Sequence, residues 1–548
     1  MENETIEIPI VGVSIEDLCK SERFSELDRN EAYLHALQDE AKLYDWDGRL
    51  VSDGMSPIQP GWEVPMAQRR PCARYDLAKV IVSRFTALLF GTDRFPELLS
   101  AGDRDSEDYY KGLAEAARLP LRAISARNIG GSQGSVGMSF AFVNGVPKVE
   151  VHKPKHIEVL GWRDRSEFRP SAVLKAYAFP TNVFDPETKK IKRVEMYYVR
   201  LWTEQTETVW KPIPSDIAKL PNWSTAIEST TVVHGLGFCP FYWTQNIPDE
   251  ESIDGRSDYD GLHGNLDEMN RLTSAGVRAV KANSDPTLIV KEDPAFKSEH
   301  LRKGNGAAIF SRGGADYLTL PGESVDALRK VREDLRSATL DVASVVTLDP
   351  EGAYGSTAAA QSGTALRILF APMTAQADIY REQYGEMLIK PLLKGMFEAA
   401  EIIEGRGERV VLPPRVESSE DGTSARIYER RRGPSDALSL NWNPYFPPSW
   451  TDIKSAIDAM KAGNGDKPVM SQRTSIAAVQ SITGVDNVDE EMAAIQEDAA
   501  RAMEVARASM DAMGPTPAPL DRGSVSGAGT DPSTPDDDED ELEDSGAS

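Results

Sequence analysis

The sequence of 548 residues lacks the long apolar run of a membrane helix, which needs about 20 consecutive apolar residues. Its opening, MENETIEIPI, also lacks the basic stretch that begins a signal peptide. These absences predict a soluble protein of cytoplasmic origin with no membrane partner. Cysteine is scarce: Cys19, Cys72 and Cys239 lie far apart, and no CxxC pair occurs. Three separated cysteines favour buried free thiols over a disulfide framework or a metal site.

Recognisable catalytic motifs are missing as well. No GxxxxGK[ST] occurs, so nothing predicts ATP hydrolysis. The glycine-rich stretch 130–137 precedes a predicted strand instead of opening a helix, which favours a mobile turn over a nucleotide site. Ser132 lies in a Gly-x-Ser-x-Gly match, but a nucleophile elbow needs a strand before the serine and a helix after it. Here the predicted order is helix, turn, strand. The sequence therefore predicts no catalytic residue, no cofactor and a protein that is not an enzyme.

Metal-ligand patterns are weak. His152 and His156 stand four residues apart in HKPKH, where Pro154 argues against a helix and no third ligand follows. We interpret both as surface histidines. The aspartates of residues 254–260 precede a glycine, but they depart from the spacing of a calcium loop and lack its closing glutamate. The sequence predicts no metal site.

Basic residues are outnumbered by acidic ones, 61 to 87, and the formal net charge is −26. Such a charge argues against a protein that wraps DNA, because DNA-wrapping proteins are basic. Residues 514–548 are mostly Pro, Ser, Gly, Thr and acid, too poor in apolar side chains to offset the entropy of ordering. We predict a disordered, solubilising tail, with binding of a basic partner as the alternative.

What is present predicts an α+β fold with more than one domain. Apolar residues at helical spacing predict helices over 25–44, 74–90 and 105–127. From residue 136 the period changes to two, and Asn144-Gly145 between two such runs predicts a hairpin. The further predicted strands are AVLKAYAF, RVEMYYVRLWT, ETVWKP and TTVVHGLGFCPFYW. Helices are then predicted over 258–283, 450–462, 471–481 and 488–510.

The most informative stretch is a helix, a loop and a second helix, over 325–346, 347–362 and 363–404. The loop TLDPEGAYGSTAAAQS has no apolar period, and its proline and two glycines would stop a helix. Pro372 and Pro391 predict kinks in the long helix, or its division into two shorter ones. This arrangement is typical of a structural lever or the lining of a channel, and not of a catalytic pocket.

Five segments, in order along the chain, resemble landmarks of the portal (head–tail connector) protein of tailed bacteriophages, in particular the Gram-positive and actinobacterial phage portal family. They are KVIVSRFTALLFGTDRFPEL, GLGFCPFYWTQN, DGLHGNLDEMNRLTSAGVRAV, SGTALRILFAPM and LSLNWNPYFPPSWTDIKSAIDAM. In the third segment Asn270, Arg271 and Ser274 stand where such stem helices carry Asn-Arg and Ser. The resemblance covers roughly residues 25–510 and depends on the shared order of these segments.

The resemblance implies a ring of identical subunits, normally twelve, at one vertex of the capsid of a virion assembled in the host cytoplasm. Double-stranded DNA would be packaged through its channel by a separate terminase and later ejected. The implied partners are further copies of the chain, the DNA, the terminase large subunit, the major capsid and scaffolding proteins, and a head–tail adaptor. No cofactor is implied.

The resemblance also divides the chain. The implied regions are an N-terminal arm 1–24, wing 25–255, stem helix 258–283, clip 285–324, second stem helix 325–346, tunnel loop 347–362, kinked helix and wing return 363–445, crown 446–513 and acidic tail 514–548. The tunnel-loop residues are Asp349, Glu351, Gly352, Tyr354, Gly355, Ser356 and Thr357. The stem charges, facing the lumen or pairing between subunits, are Arg271, Arg278, Lys281, Arg329, Lys330, Arg332 and Arg336. The basic clip residues are Lys297, Arg302, Lys303 and Arg312.

Physical reasoning from the residues agrees with a conduit. An acidic channel does not grip phosphates, so DNA can slide through it. In the last predicted helix an apolar seam at intervals of three and four residues indicates packing against a neighbour. Its members are Met492, Ile495, Ala499, Met503, Ala506 and Met510. Two alternatives remain open: another structural ring or scaffold component of a virus particle, or a capsid-associated enzyme whose site is not recognisable.

Overall fold

The computed structural model describes residues 14–19, 21–35, 73–92, 94–100, 103–185, 190–284, 287–290, 315–318, 322–347, 367–418, 425–446, 450–463, 471–476 and 488–512. The chain divides into two compact units, Met1–Phe446 and Pro447–Ser548. The first unit contains both helices and sheets, so the predicted α+β class is confirmed.

The described helices of the first unit are α1 (Ile15–Cys19), α2 (Glu22–Leu34), α3 (Leu77–Phe90), α4 (Arg104–Ala116), α5 (Leu119–Gln133), α6 (Ser215–Ala218), α7 (Trp223–Ala226), α8 (His263–Ser284), α9 (Gly322–Val342), α10 (Ala371–Arg381) and α11 (Lys390–Gly405). A π-helical segment, Glu382–Ile389, joins α10 to α11. The strands are β1 (Glu97–Leu99), β2 (Ser135–Val143), β3 (Val146–His152), β4 (Ile157–Asp164), β5 (Arg169–Asp185), β6 (Lys190–Trp202), β7 (Thr206–Trp210), β8 (Ile213–Pro214), β9 (Ser229–Val233), β10 (Phe241–Gln245), β11 (Thr287–Val290), β12 (Ala315–Leu318), β13 (Arg415–Ser418), β14 (Ala425–Tyr428) and β15 (Ser439–Asn441).

The helix predicted over 105–127 is in fact two helices, α4 and α5. Arg118 between them takes the left-handed conformation with φ 52, and Pro120 lies in the first turn of α5. A proline suits a first turn because that turn leaves its N–H groups without helical acceptors. Helix α3 ends at Gly91 as predicted, but Gly91 is extended there and not left-handed. Glycine is needed because a Cβ would collide with the carbonyl of Ala87.

The predicted hairpin at Asn144-Gly145 is confirmed. Both residues have positive φ, 54 and 78, and the register pairs Val143 with Val146 across a two-residue turn. Strand β10 completes this sheet in the order β10-β2-β3. The single strand predicted over TTVVHGLGFCPFYW is wrong, because two glycines with positive φ, Gly235 and Gly237, separate β9 from β10 and send them to different sheets.

The main core forms where α3, α4 and α5 pack with the β10-β2-β3 sheet against the rod of residues 371–405. The rod is continuous, since Glu382 and Lys390, at the two junctions with the π-helical segment, have right-handed helical dihedrals. Pro391 lies at the start of α11 within this rod, so the predicted division does not occur there, whereas a turn at Phe370, just before Pro372, separates helical residues 367–369 from α10. The π-helical segment ends directly before α11, where Pro391 has no N–H to donate.

A second sheet of the first unit has the strand order β4-β5-β6-β7-β9, with β8 also paired to β6. Its core includes Trp210 and Trp223, whose rings meet edge to face. Near the C-terminal end of the first unit, β15 pairs with β1.

The second unit contains α12 (Trp450–Gly463) and α13 (Val488–Ala512), and residues 472–476 are helical. On α13, Met492 and Ile495 of the predicted seam are half-buried, whereas Ala499 and Met503 are exposed. The side chains of Ala506 and Met510, and the predicted tail 514–548, lie outside the described residues.

Candidate functional site

Helices α8 and α9, the two predicted stem helices, lie side by side and run in opposite directions. The chain leaves α8 into β11 and returns through β12 to α9, and the antiparallel register pairs Thr287 with Leu318. The other ends of both helices join the main core, through Leu266 and Met269 of α8 and Leu340 of α9. The pair therefore projects from the core as a helical hairpin.

The projecting half of this hairpin is poorly covered. Exposed valines lie on both helices: Val277 (43%) and Val280 (53%) on α8 and Val331 (53%) on α9. Along α9 no side chain is buried from Val325 to Ala338. Two packed helices alone cannot bury an apolar surface that extends beyond their mutual contact. The described residues thus leave an apolar surface on a projecting helical pair.

The base of α8 is fixed by residues that the sequence had singled out. Asn270 Oδ1 accepts the backbone N–H of Tyr75 at 2.7 Å. The hydroxyl of Ser274 accepts the N–H of Ala73 and donates to the carbonyl of the same residue, at 3.1 and 3.0 Å. Asn270 and Ser274 are both buried. Both side chains therefore have a structural role, because they hold the backbone of the segment that leads into α3.

The predicted start of α8 at Asp258 is five residues too early. Residues 258–262 form a turn in which Gly261 has φ 72, and this turn is anchored by its own side chains. Tyr259 donates to the carbonyl of Asn30 at 2.5 Å, and His263 Nε2 lies 2.9 Å from Asn30 Oδ1. Tertiary contacts therefore hold this segment out of the helix that its pattern predicts.

Helix α9 ends four residues earlier than predicted, in a Schellman motif. Ser344 is left-handed with φ 56, Val345 N–H donates to Leu340 O at 2.9 Å, and Ser344 N–H donates to Asp341 O at 3.0 Å. Leu340 and Val345 are both buried in the core, which is the hydrophobic contact that accompanies this motif. The chain thus enters the predicted tunnel loop from a fixed point.

A buried ion pair lies beneath the hairpin. Arg127 of α5 and Asp258 are completely buried, and one guanidinium nitrogen, Nη2, donates to both carboxylate oxygens at 3.0 and 2.9 Å. The guanidinium carbon lies 4.1 Å from the ring centre of Tyr380 and 5.5 Å from that of Tyr384. Burial lowers the pKa of Arg127 and the Asp258 carboxylate raises it, and the net pKa lies above the usual value. The guanidinium is therefore charged and held between aromatic faces.

Further hydrogen bonds tie this ion pair to the long rod. Asp258 Oδ1 accepts from the Tyr380 hydroxyl at 2.8 Å and from Asn246 Nδ2 at 2.9 Å. Asn246 Oδ1 accepts from the hydroxyl of Tyr384, within the π-helical segment, at 2.9 Å. The Tyr384 hydroxyl occupies the space that a Cβ at Gly130 would need. The network connects α5, the turn before α8 and the rod that follows the predicted tunnel loop.

Three arginines along the hairpin lie near a glutamate of their own helix. Arg271 lies 3.6 Å from Glu268, and Arg329 Nε donates to Glu333 at 2.9 Å. Arg332 is 3.9 Å from Glu333, a weak contact. Arg336 donates to the Tyr75 hydroxyl at 2.9 Å, and Lys330 is exposed. Over the two helices acidic and basic residues are equal in number, so the acidity of the chain does not reside there.

Several predicted site residues lie outside the described residues. They are the tunnel-loop residues Asp349, Glu351, Gly352, Tyr354, Gly355, Ser356 and Thr357, the clip residues Lys297, Arg302, Lys303 and Arg312, and the side chains of Arg278 and Lys281. Of the predicted clip, the described part is the β11–β12 pair. Whether the stem charges face a lumen or a neighbouring subunit stays a prediction.

The glycine-rich stretch is not the predicted mobile turn. Residues 130–133 form the last turn of α5, and Gly134, with φ 86, caps it. Cβ atoms at Gly130 and Gly131 would collide with Tyr384 and Arg127, so these glycines permit close packing. Ser132 is fully buried and donates to the carbonyl of Ile129 at 2.9 Å, which leaves it no nucleophilic role.

The interpretation of His152 as a surface residue is wrong. His152 is buried, stacks on Phe241 and lies 2.7 Å from the Ser139 hydroxyl and 3.2 Å from Lys175 Nζ. His156 is half-buried and stacks on Tyr177. Both histidine rings therefore pack on aromatic rings of other strands, His152 on Phe241 of β10 and His156 on Tyr177 of β5. Sequence spacing does not reveal such tertiary contacts.

Asp254, one of the aspartates considered for a calcium loop, is held by a basic side chain. Asp254 accepts from Arg23 at 2.5 and 3.1 Å, as a carboxylate bound to arginine and not to a cation. Among the described residues no cluster of potential metal ligands occurs. Cys239 is a buried free thiol as predicted and Cys19 is half-buried, whereas Cys72 lies outside the described residues.

Sequence reasoning missed the Arg127 network. Its members come from four separate segments, and no spacing rule connects them. The available signal was local: an arginine inside an apolar helical pattern, followed by adjacent glycines in the helix, Gly130 and Gly131. A helical arginine beside residues without side chains indicates a close approach of another element.

A comparison with protein-family models found no match, and a comparison with curated proteins found no significantly similar sequence. In the part of the chain that the structure describes, every helix is too short or too polar to cross a lipid bilayer.

Proposed function

We propose that the chain is a subunit of a viral portal, a ring that surrounds a DNA channel at one capsid vertex. The observation that carries this proposal is the α8–α9 hairpin, which is anchored at its base and bears exposed valines on both helices. Together with the order of sequence segments that resemble portal proteins, it favours a protein whose helices become covered by neighbouring copies.

The energetic reason is the uncovered apolar surface. Because these valines are only about half exposed in the single chain, burial of each one stabilises an assembly by about 1 kcal/mol. Repeated around a ring, such contacts accumulate without any covalent or metal link. A contact between two different faces of the same chain, repeated by rotation, closes into a ring when the rotation is suitable.

The charge pattern of the hairpin suits transit of DNA. Its acidic and basic residues balance, and Arg271 and Arg329 each lie beside a glutamate of the same helix. Paired arginines hold phosphates weakly, because a phosphate must compete with a carboxylate that is already in place. A DNA duplex therefore passes such helices without tight binding. This holds whether the helices line the lumen themselves or the predicted tunnel loop lies between them and the DNA.

The partners follow from this role. The DNA would be driven by the terminase large subunit, since the chain itself contains no P-loop. Copies of the chain, twelve by analogy, would contact the major capsid and scaffolding proteins and, after packaging, a head–tail adaptor. The rival functions are another ring or scaffold of a virus particle and a capsid-associated enzyme.

The test is electron microscopy of the purified full-length protein together with mass photometry, without nucleotide or metal. We expect rings with a central hole, and the same rings after deletion of residues 514–548. A stable monomer of 60.1 kDa at all salt and protein concentrations would contradict the proposal.

A second measurement separates a portal from another ring. Procapsids assembled with and without the chain should differ in DNA content after addition of terminase, and only those with the chain should fill. Rings that leave packaging unchanged would favour a scaffold or other ring component.

A further inference from the structure

Helix α9 carries exposed apolar side chains along one side. Val331 (53% exposed), Ala338 (exposed) and Val342 (70% exposed) follow one another at intervals of seven and four residues. The half-buried Leu335 lies between the first two. Residues with this spacing form one stripe of a helix, the pattern by which a helix packs along another helix. We call these four residues the α9 seam.

A matching stripe lies on the helical residues that begin the long rod. Its exposed members, at intervals of four, three and four residues, are Ile368 (70%), Pro372, Ala375 and Ile379 (42%). Phe370, in the turn before α10, has right-handed helical dihedrals, so the stripe continues across that turn. The intervals are those of the α9 seam, and we call this stripe the α10 seam.

Helix α10 is therefore apolar on two sides. Met373, Ala377 and Tyr380 are buried in the main core, whereas the α10 seam is exposed on another side of the helix. A surface helix normally buries one apolar stripe, so a second stripe indicates a second packing partner. The α9 seam is exposed in the same chain, so the two seams do not cover each other within one copy.

Charged residues at the ends of the seams determine the direction of a contact between them. The α9 seam begins beside a basic residue, Lys330, and ends beside an acidic one, Asp341. The α10 seam also begins beside a basic residue, Arg367, and ends beside acidic ones, Asp378 and Glu382. All five are exposed, and residues 368–377 carry no charge. Parallel helices would bring like charges together at both ends, whereas antiparallel helices bring opposite charges together, so the charges favour the antiparallel arrangement.

We propose that α9 of one copy packs antiparallel along helical residues 367–381 of the next copy, an inference that rests on the ring assembly proposed above. Val342 then lies against Ile368, and Val331 lies against Ile379. The two seams are different surfaces of the same chain, so the contact is head-to-tail and can repeat around a ring. The hairpin thus packs on the start of the rod of a neighbouring subunit.

The test is disulfide capture in the full-length chain with its three native cysteines replaced by alanine. Chains that carry one new cysteine each are mixed before assembly and then oxidised, so that every disulfide joins two copies. We expect covalent dimers from Val342→Cys mixed with Ile368→Cys. Val331→Cys mixed with Ile379→Cys should give them as well.

The matched control exchanges the partners. Val342→Cys with Ile379→Cys, and Val331→Cys with Ile368→Cys, should give only the background that each variant gives alone. The two ends of each seam are 11 residues apart, about 16 Å along a helix. A disulfide requires Cα atoms within about 7 Å of each other. The expected and the exchanged pairs therefore cannot both form in one arrangement.

Charge exchange supplies an independent measurement. In the antiparallel arrangement Lys330 approaches Glu382, so Lys330→Glu should raise the protein concentration at half-assembly about five-fold at low salt and less at high salt. Addition of Glu382→Lys should restore most of the loss. Glu398→Lys, at an exposed carboxylate of α11, is the control and should not restore it. Equal recovery with both lysines, or with neither, would contradict the contact.

The outcomes are distinct. Rings that form normally without any of these cross-links overturn the helix contact and leave the portal proposal in place. Cross-links from the exchanged pairs, alone or in equal amount, overturn the antiparallel arrangement. A wild-type chain that forms no assembly overturns both proposals. Ile379→Cys is also mixed with Ile495→Cys of α13, and a disulfide there in place of the α9 cross-links would show that the second unit covers the α10 seam, which overturns the contact.

Discussion

At the scale of single residues, Arg127 places a buried positive charge in the core that must be compensated there. Its Nε and Nη1 atoms have no hydrogen-bond acceptor among the described residues, and the rings of Tyr380 and Tyr384 lie beside the guanidinium. A buried guanidinium in this position depends on its one carboxylate. Loss of either partner leaves an uncompensated buried charge, which costs more than the pair itself contributes.

We therefore expect Asp258→Asn to destabilise the first unit by about 3–5 kcal/mol. The double change Arg127→Met/Asp258→Asn should be less harmful, because no unpaired charge remains. Urea unfolding followed by tryptophan fluorescence measures both, with the exposed Arg165→Met as control. Equal losses for the single and double variants would show that hydrogen bonds, and not charge, dominate this centre.

Ser344 carries backbone strain at the end of α9. A left-handed non-glycine residue costs of order 1 kcal/mol, and glycine has no such penalty. We expect Ser344→Gly to stabilise the protein by about 0.5–1 kcal/mol and Ser344→Val to destabilise it by more than that. Thermal unfolding at fixed pH measures the change. A loss on Ser344→Gly would mean that the serine side chain makes a contact that outweighs the strain.

His152 makes stability depend on pH. Burial lowers its pKa well below the usual value, and Lys175 and Arg200 lower it further. In the unfolded chain histidine has a pKa of about 6.5. Below that pH the unfolded state therefore binds a proton that the folded state does not, so stability falls as pH falls, by up to about 1.4 kcal/mol per pH unit for this group. His156, with its pKa lowered to about 4 chiefly by burial, acts in the same direction.

The measurement is the difference in unfolding free energy between pH 7.5 and pH 5.5. The wild type should lose stability at the lower pH, and His152→Gln should lose less, although it is weaker at both values. The exposed His35→Gln serves as control and should behave as the wild type does. An unchanged pH difference in His152→Gln would exclude this histidine as the source.

At the scale of elements, the sequence predicts what local patterns determine. Helix α3 and the Asn144-Gly145 hairpin follow from apolar periodicity and turn chemistry within about 20 residues. The delayed start of α8 does not, because distant partners decide it. The turn at Asp258 is held by Arg127, which lies far away in the chain. In the candidate site, Asn270 and Ser274 were singled out by the resemblance to portal stem helices, whereas Arg127 was not singled out.

The hairpin valines test whether α8 and α9 pack against neighbouring copies. We expect Val280→Glu or Val331→Glu to raise the concentration needed for half-assembly at least about ten-fold, since each places a charge in an apolar contact. Monomer folding should be unaffected, because both side chains are exposed in the single chain. Leu220→Glu, at an exposed apolar residue outside the hairpin, is the matched control. Normal assembly of both valine variants would remove the hairpin from the subunit interface.

At the scale of the whole molecule, the described residues divide into units with separate interiors. Every residue of the three core clusters, and every side chain packed against them, precedes residue 446. The second unit presents mostly exposed positions on α13, with Ile495 of the predicted seam half-buried.

This division predicts that a chain ending at residue 446 folds on its own. Its core clusters and the α8–α9 hairpin are retained, so it should unfold cooperatively and still form rings. Circular dichroism and mass photometry, with the full-length chain as control, measure folding and assembly separately. A folded monomer would mean that the second unit, and not the hairpin, holds the subunits together. An aggregated product would mean instead that the second unit covers surface of the first, and the seam of α13 would then be the place to look for that contact.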